Sequence, residues 1–164
     1  MCSSDLLLPA GAAKLVPLGE SCTRDSSLRA QTVAELQREA AGSPYHAHAM
    51  IVLANIALFE GRSDTARDLL QGSIAVDPNR AGVHQSLATI ALQQGRPRDA
   101  LREVGLERRL VGVDPALDVL AGQAWWALGH AERARDAFRR AVRRDPHNQE
   151  ARTALEAVER SRGR

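Results

Sequence analysis

The chain has 164 residues, of which 44% are hydrophobic and 26% charged, and this composition excludes an intrinsically disordered protein. Only 3% of the residues are aromatic, whereas alanine, leucine and arginine are abundant, which favours helices over sheets. A formal net charge of +2 provides no strong field that would select nucleic acid or a membrane surface. The longest apolar run, Ala49 to Ala54, is too short to span a bilayer, so no membrane insertion is expected within this chain.

The first six residues, Met1 to Leu6, match the translation of a common sequencing adapter. We therefore expect them to be foreign to the gene, and the chain to be the C-terminal piece of a longer bacterial protein. Residues 1–27 carry no recognisable element and are left as an unplaced or disordered segment. The cytoplasm is preferred as the compartment, and the periplasm stays open if a signal or anchor precedes the chain.

A period of 34 residues runs through the sequence from about Ala47 to Pro146. The positions that share this spacing hold mostly small or apolar residues. They are Gly61, Gly95 and Gly129; Ala66, Ala100 and Ala134; Leu53, Leu87 and Ala121; Ala54, Ala88 and Gly122; Leu70, Val104 and Phe138; and Pro44, Pro78 and Pro146, with Gly112 in the missing place. Such a period is typical of folds built from repeated helix pairs.

Each unit is predicted to consist of a first helix, a glycine turn and a second helix. The three glycines of the period fit helix ends in the left-handed conformation, and the small residues let the helix backbones approach closely. First helices are expected to begin where a capping side chain precedes proline, at Ser43–Pro44, Asp77–Pro78, Asp114–Pro115 and Asp145–Pro146. Second helices are expected to begin with Ser63 as the N-cap, with Pro97 as the first helical residue, and after His130.

These residues resemble the tetratricopeptide repeat (TPR) family, whose unit has the same length and the same pattern of small residues, glycine and proline. The resemblance implies an all-α fold, an α-solenoid in which antiparallel helix pairs form a right-handed superhelix. In chain order it predicts a half repeat at 28–46 with a helix at Thr32 to Ala41, TPR units at 47–80, 81–114 and 115–148, and a capping helix at 149–164. Trp125 stands where the family prefers an aromatic residue, whereas Ala57 and Ala91 depart from that preference, and Met50, His84 and Asp118 replace a second aromatic residue.

In TPR proteins the first helices line a concave groove that holds an extended peptide or a partner helix. Carried over by position, the resemblance implies three rows of groove residues: Ile51, Gln85 and Val119; Asn55, Thr89 and Gln123; and Leu58, Leu92 and Trp126. The third row could instead pack between repeats. Because these residues are neutral, the groove lacks the Lys and Arg with which some TPR domains hold a C-terminal carboxylate. Trp125 and Trp126 lie about 100° apart on a helix, so one of them is expected to face the groove or the next unit.

No local signature of catalysis is present, such as a phosphate loop or a GxSxG sequence, and we expect neither an enzyme nor a cofactor. His46, His48 and His84 suggest a metal site, but His46 and His48 are two residues apart on a helix and point to different faces, which favours ordinary structural roles. Cys2 and Cys22 form no metal-ligand spacing and no disulfide framework, and Cys22 is interpreted as an inert thiol.

The helix at 131–144 is rich in arginine: Arg133, Arg135, Arg139, Arg140, Arg143 and Arg144. Such a stripe could bind phosphate or RNA. No exposed aromatic residues alternate with these arginines, however, and arginine is used throughout the chain. A solvated helix face is therefore the preferred interpretation, and nucleic acid is not expected as a partner.

The sequence thus predicts a non-catalytic scaffold for protein–protein interaction, which binds a peptide or a partner helix in the concave groove. The alternative is a regulatory or docking tail at the C-terminus of a larger bacterial enzyme of the glycosyltransferase or membrane polymer ligase class. The partner, the parent protein and the oligomeric state are left open by the sequence.

Overall fold

The computed structural model describes residues 46–161, and these residues form seven helices and no strand, so the predicted all-α class is confirmed. The helices are α1 (His46–Phe59), α2 (Ser63–Val76), α3 (Val83–Gln93), α4 (Pro97–Val111), α5 (Pro115–Ala127), α6 (Ala131–Arg144) and α7 (Gln149–Ser161). The predicted segment 1–27 with both cysteines, the helix of the half repeat and the helix start at Ser43–Pro44 lie outside the described residues.

The described residues divide into two compact units, with the border between Pro78 and Asn79. The first unit holds α1 and α2, which pack against each other, and the second holds α3 to α7. In the second unit α5 packs against both α4 and α6, while α7 contacts α6 and α5. The borders of the individual repeat units remain a prediction.

The predicted glycine turns are confirmed in all three helix pairs. Gly61, Gly95 and Gly129 have φ angles of 76°, 67° and 78°, a left-handed conformation that favours glycine. The residue after each glycine donates its backbone N–H to a carbonyl five residues earlier, as Arg62 does to Ala57 at 2.8 Å. This hydrogen bond closes the end of the first helix and turns the chain back, so that the second helix packs on the first.

The starts of the second helices follow directly from these turns. Pro97 is the first residue of α4, and α6 begins after His130, as predicted. Ser63 was expected to be an N-cap, and this prediction is wrong, because Ser63 is the first helical residue of α2 and Arg62 stands at the N-cap without a side-chain hydrogen bond. The glycine turn fixes the backbone of Arg62, so the helix begins one residue earlier than a serine cap would require.

Only one of the described Asp-Pro sites begins a first helix. Asp114 caps α5, since its Oδ1 accepts the N–H of Ala116 at 2.8 Å, and Pro115 is the first helical residue. Asp77 and Asp145 instead end α2 and α6, so the starts predicted there are wrong. Pro78 and Pro146, which follow these two aspartates, oppose continuation of the preceding helix. Proline has no backbone N–H to donate, and it disfavours helical backbone angles in the residue before it.

The helices α3 and α7 begin at Val83 and Gln149, several residues after Pro78 and Pro146, with caps of their own. The N-terminus of α7 is capped by Asn148, whose Oδ1 accepts the N–H of Ala151 at 2.9 Å. The N-terminus of α3 follows Gly82, which has a φ of 86° and therefore cannot be part of the helix. Its cap is a carboxylate from another helix: Glu107 of α4 is 1% exposed, and its two oxygens accept the N–H groups of Gly82, His84 and Gln85 at 2.6, 3.1 and 3.3 Å.

The small residues of the period lie where two helices come closest. All six of these residues are buried, namely Ala54, Ala88 and Gly122 on the first helices and Ala66, Ala100 and Ala134 on the second. At Gly122 the approach is closest, since a Cβ atom there would lie 2.5 Å from Cε1 of the buried ring of Phe138. The repeat therefore uses small side chains to set the distance between α5 and α6.

We expect Gly122→Ala to lower the free energy of unfolding by about 1–2 kcal/mol, because the cost of overpacking against Phe138 exceeds the gain in helix propensity. Gly105→Ala is the matched control: this glycine is also inside a helix, and nothing lies within 4 Å of a Cβ added there. It should raise the free energy of unfolding by up to about 1 kcal/mol. Urea unfolding measures both, and equal effects of the same sign would contradict the close packing at Gly122.

Candidate functional site

An open groove of about 410 Å³ lies in the second compact unit. It is bordered by α3 and α5, which are the first helices of two successive repeats, and by the start of α7. Its walls combine side-chain amides, one hydroxyl and aliphatic groups. The lining residues are Gln85, Thr89, Leu92, Gln93, Ala116, Val119, Leu120, Gln123, Asn148 and Glu150. Successive turns of α3 and α5 face the same space because residues three and four apart share one face of a helix.

The structure brings together five of the nine residues that the sequence predicts for a groove. Gln85, Thr89 and Leu92 contribute from α3, and Val119 and Gln123 contribute from α5. Val119 is buried and belongs to the apolar core around Phe138, so it forms part of the floor of the groove. The other four groove residues of this set are partly exposed.

The remaining four predicted residues do not line this groove. Trp126 lies on α5 and is 43% exposed. Ile51, Asn55 and Leu58 lie on α1 in the first compact unit, where Asn55 is exposed and the two aliphatic side chains are half-buried. Their part in a binding surface stays a prediction.

Some polar side chains of the groove are already hydrogen-bonded within the protein and others are not. Gln123 donates its Nε2 group to Oε1 of Glu150 at 2.7 Å, and Thr89 donates its hydroxyl to the carbonyl of Gln85 at 3.2 Å. The side-chain amides of Gln85 and Gln93 hydrogen-bond to no other group within residues 46–161. An amide carries both a donor and an acceptor, so these two side chains can bond to the backbone of an extended peptide.

Charge in the groove comes from one residue. Glu150 is the only ionisable side chain among the ten that line it, and no lysine or arginine is present there. A carboxylate entering here would approach Glu150 without a compensating cation, whereas a neutral or basic segment would not be repelled.

The sequence reasoning missed the contribution of α7. Glu150 stands in the first turn of this helix, directly after the Asn148 cap, and the cap fixes where the turn begins. An asparagine followed by an acidic residue two positions later signals a helix start, but it does not indicate that this helix reaches the groove. The other missed lining residues, Gln93, Ala116 and Leu120, lie on the same helices as the predicted rows.

Of the two adjacent tryptophans, one packs inside the fold and the other faces outward. Trp125 is partly buried between the two apolar clusters, meets the ring of His130 edge-on at 5.5 Å, and lies 4.7 Å from the guanidinium carbon of Arg133. Trp126 is exposed. The two rings therefore do not share one core layer, and the outward ring of Trp126 does not line the groove, so its predicted part in the groove stays a prediction.

The repeats place this chain in a known family. A family model described as a tetratricopeptide repeat-like domain matches residues 17–158. The chain belongs to this family. No match to a curated protein is found.

Several solved structures share the fold of this chain at low sequence identity. The first TPR domain of Spaghetti (RPAP3), bound to the HSP90 peptide SRMEEVD, is 20% identical with a TM-score of 0.68, and the match covers 72% of this chain and 94% of that chain. MamA is 14% identical with a TM-score of 0.72, covering 80% and 77%. The type III secretion chaperone SycD of Yersinia enterocolitica, in complex with a peptide of the translocator YopD, is 15% identical with a TM-score of 0.63, covering 70% and 93%.

Metal sites and membrane spans are the two other features that bear on the function of this TPR protein. Across residues 46–161, no set of three His, Cys, Asp or Glu side chains is arranged to hold a metal ion, and no helix there is long and apolar enough to cross a membrane. His84, which the sequence suggested as a metal ligand, is buried with its Nδ1 at 2.8 Å from Oε2 of Glu103. The side chain of His46 lies outside the described residues.

Proposed function

We propose that this TPR protein is a non-catalytic interaction module that holds an extended segment of a partner protein in the groove of its second unit. The observation that carries the proposal is the convergence of Gln85, Thr89, Leu92, Val119 and Gln123 on one groove, since the TPR resemblance and the repeat positions predict these residues from the sequence. Support also comes from two solved TPR structures of the same fold, RPAP3 and SycD, each of which is in complex with a peptide.

The chemistry of the groove fits a peptide backbone with small or aliphatic side chains. The amides of Gln85 and Gln93 can each accept and donate a hydrogen bond, as an added peptide requires. Leu92 and Leu120 provide apolar surface beside these amides. Because the helices are held in place by the packed core of the unit, binding does not have to order the protein side of the interface.

The proposal is tested with peptides selected on the wild-type protein from a random 12-residue display library. We expect the double variant Gln85→Ala with Thr89→Ala to lose about tenfold or more in affinity. The peptide then loses the Gln85 amide and the acceptor of the Thr89 hydroxyl, and each lost hydrogen bond contributes about 0.5–1.5 kcal/mol. Fluorescence polarisation with a labelled selected peptide measures the loss. Circular dichroism should show unchanged helicity, since both side chains are only partly buried.

The matched control is Thr65→Ala with Gln71→Ala, which removes the same two types of side chain from exposed positions of α2. This control should bind the selected peptide with wild-type affinity. If the groove variant binds as tightly as the control, the partner surface lies elsewhere and the proposal is wrong.

A second prediction concerns the end of the peptide. A selected peptide should bind equally well, within about twofold, with a free C-terminal carboxylate or with a C-terminal amide, because no lysine or arginine lines the groove. Glu150→Gln should strengthen the binding of acidic peptides and leave neutral ones unchanged. A tenfold preference for the free carboxylate would contradict this prediction.

A further inference from the structure

One buried carboxylate in this TPR protein is contacted by three arginines from two other helices. Asp118, in the first turn of α5, is 1% exposed. Its Oδ1 accepts Nη2 of Arg108 at 3.1 Å and Nε of Arg140 at 3.2 Å, and its Oδ2 accepts Nη1 of Arg144. We call these four residues the Asp118 cluster. The cluster forms because the C-terminal parts of α4 and α6 and the N-terminus of α5 lie at the same end of the second unit.

The Asp118 cluster carries more positive than negative charge. Three guanidinium groups meet one carboxylate, which leaves a surplus of two positive charges. The carboxylate is buried, but the side chains of Arg108, Arg140 and Arg144 are 42%, 37% and 35% exposed. Each guanidinium has five N–H groups, and in each of these arginines one nitrogen bonds to Asp118. The others are available to an incoming acceptor.

The acidic residues nearest in sequence to the cluster are engaged in other contacts. Asp114 caps α5, Glu107 caps α3, and Asp145 accepts the N–H of His147 at 3.1 Å. Arg109 and Arg143, which occupy the last turns of α4 and α6 beside the cluster, form no ion pair within residues 46–161. These carboxylates keep their charge and offset part of the surplus, but within residues 46–161 the ion-pair partner of Arg108, Arg140 and Arg144 is Asp118 alone.

We propose that the Asp118 cluster binds a phosphate monoester, with Asp118 holding the three arginines in place and the exposed guanidinium groups contacting the phosphate oxygens. A phosphate monoester is close to doubly negative near neutral pH, which matches the surplus of two positive charges. Guanidinium groups bind phosphate oxygens through strong, charge-assisted hydrogen bonds. The same chemistry could come from a phosphorylated side chain of a partner protein or from a small phosphorylated metabolite.

A phosphodiester backbone fits the cluster less well. It carries one charge per phosphate, and proteins that bind single strands usually provide aromatic rings on which the bases stack. The exposed ring of Trp126 lies eight residues after Asp118, about 12 Å farther along α5. The cluster therefore provides charge for a compact dianion without a stacking surface beside it.

The proposal is tested by NMR titration of the ¹⁵N-labelled protein at low salt, observing the arginine Nε–H signals and the backbone amides. The ligands are O-phosphoserine, serine and dimethyl phosphate, which carries a single charge. We expect O-phosphoserine to shift the signals of Arg108, Arg140 and Arg144 and to bind about tenfold or more tightly than dimethyl phosphate, whereas serine should cause no shifts. A phosphoserine-containing peptide and inorganic phosphate then distinguish a protein partner from a metabolite.

Arg140→Gln should weaken O-phosphoserine binding at least about fivefold, because it removes one charge-assisted donor. The control is Arg98→Gln, an exposed arginine in the first turn of α4 that should leave binding unchanged. Shifts confined to other regions, equal affinity for both phosphates, or tighter binding of a ten-residue uridine oligonucleotide would each overturn the proposal. The wild-type titrations decide the question even if Arg140→Gln folds poorly.

Discussion

Replacement of Glu107 by alanine is expected to lower the free energy of unfolding by about 2–4 kcal/mol. The carboxylate is buried and accepts three backbone N–H groups at the start of α3. Without it, these donors lose their partner in a place where little water can replace it, and the favourable charge at the helix N-terminus is lost as well. Urea unfolding followed by circular dichroism measures the change.

Two further variants separate the cap from simple loss of volume. Glu107→Gln keeps the shape of the side chain but replaces one acceptor oxygen with an NH₂ group, so we expect about half of the destabilisation. Glu156→Ala removes an exposed glutamate of α7 and should change stability by less than about 0.5 kcal/mol. If Glu107→Gln were as stable as the wild type, the carboxylate would not be acting as a charged cap.

Replacement of Asp118 by alanine is expected to lower the free energy of unfolding by about 2–3 kcal/mol. This value lies between those typical of exposed and of buried ion pairs, because the aspartate is buried while its three arginines are partly exposed. The loss leaves three guanidinium groups close together without their shared anion. Added salt should reduce this loss of stability, since it screens the repulsion among the three guanidinium groups.

A double-variant cycle distinguishes this repulsion from a loss of packing. Asp118→Ala with Arg140→Gln should be more stable than Asp118→Ala alone, because the second change removes one of the repelling charges. Asp68→Ala, at an exposed position of α2, is the control and should have little effect. If the double variant were less stable than the single one, Arg140 would contribute through packing rather than charge.

Neither Glu107 nor Asp118 stands out in the sequence, because the partners of both residues lie on other helices. Asp118 occupied a position where the family has an aromatic residue, and it appeared there only as a departure from the pattern. Glu107 lies 25 residues from the Gly82 amide that it caps. Ser73 lies one repeat before Glu107 and donates its hydroxyl to the carbonyl of Ala47 at 2.9 Å. In both repeats, therefore, a side chain at this position of the second helix hydrogen-bonds to the start of the first helix. Such contacts join helices that are distant in sequence and leave no local signal.

The arginine-rich helix shows how tertiary contacts change the interpretation of a charge pattern. The sequence favoured a solvated face, but the structure gives most of these arginines specific partners. Arg133 lies against the ring of Trp125 and Arg139 pairs with Glu159, whereas Arg135 pairs with Glu132 one turn earlier on the same helix. Arg140 and Arg144 both contact Asp118. Helical periodicity predicts which residues share a face, but it does not predict which face meets another helix.

The sequence by itself determined the all-α class, the helix pairs, the glycine turns and five residues of the groove. These features depend on local conformational preference and on a period that repeats in every unit, and both can be read along the chain. Only the tertiary structure decided where α3 begins, that Glu150 belongs to the groove, and that three arginines meet at Asp118. Each of these depends on side chains from separate helices brought together by packing, and a pattern along one chain contains no distances between helices.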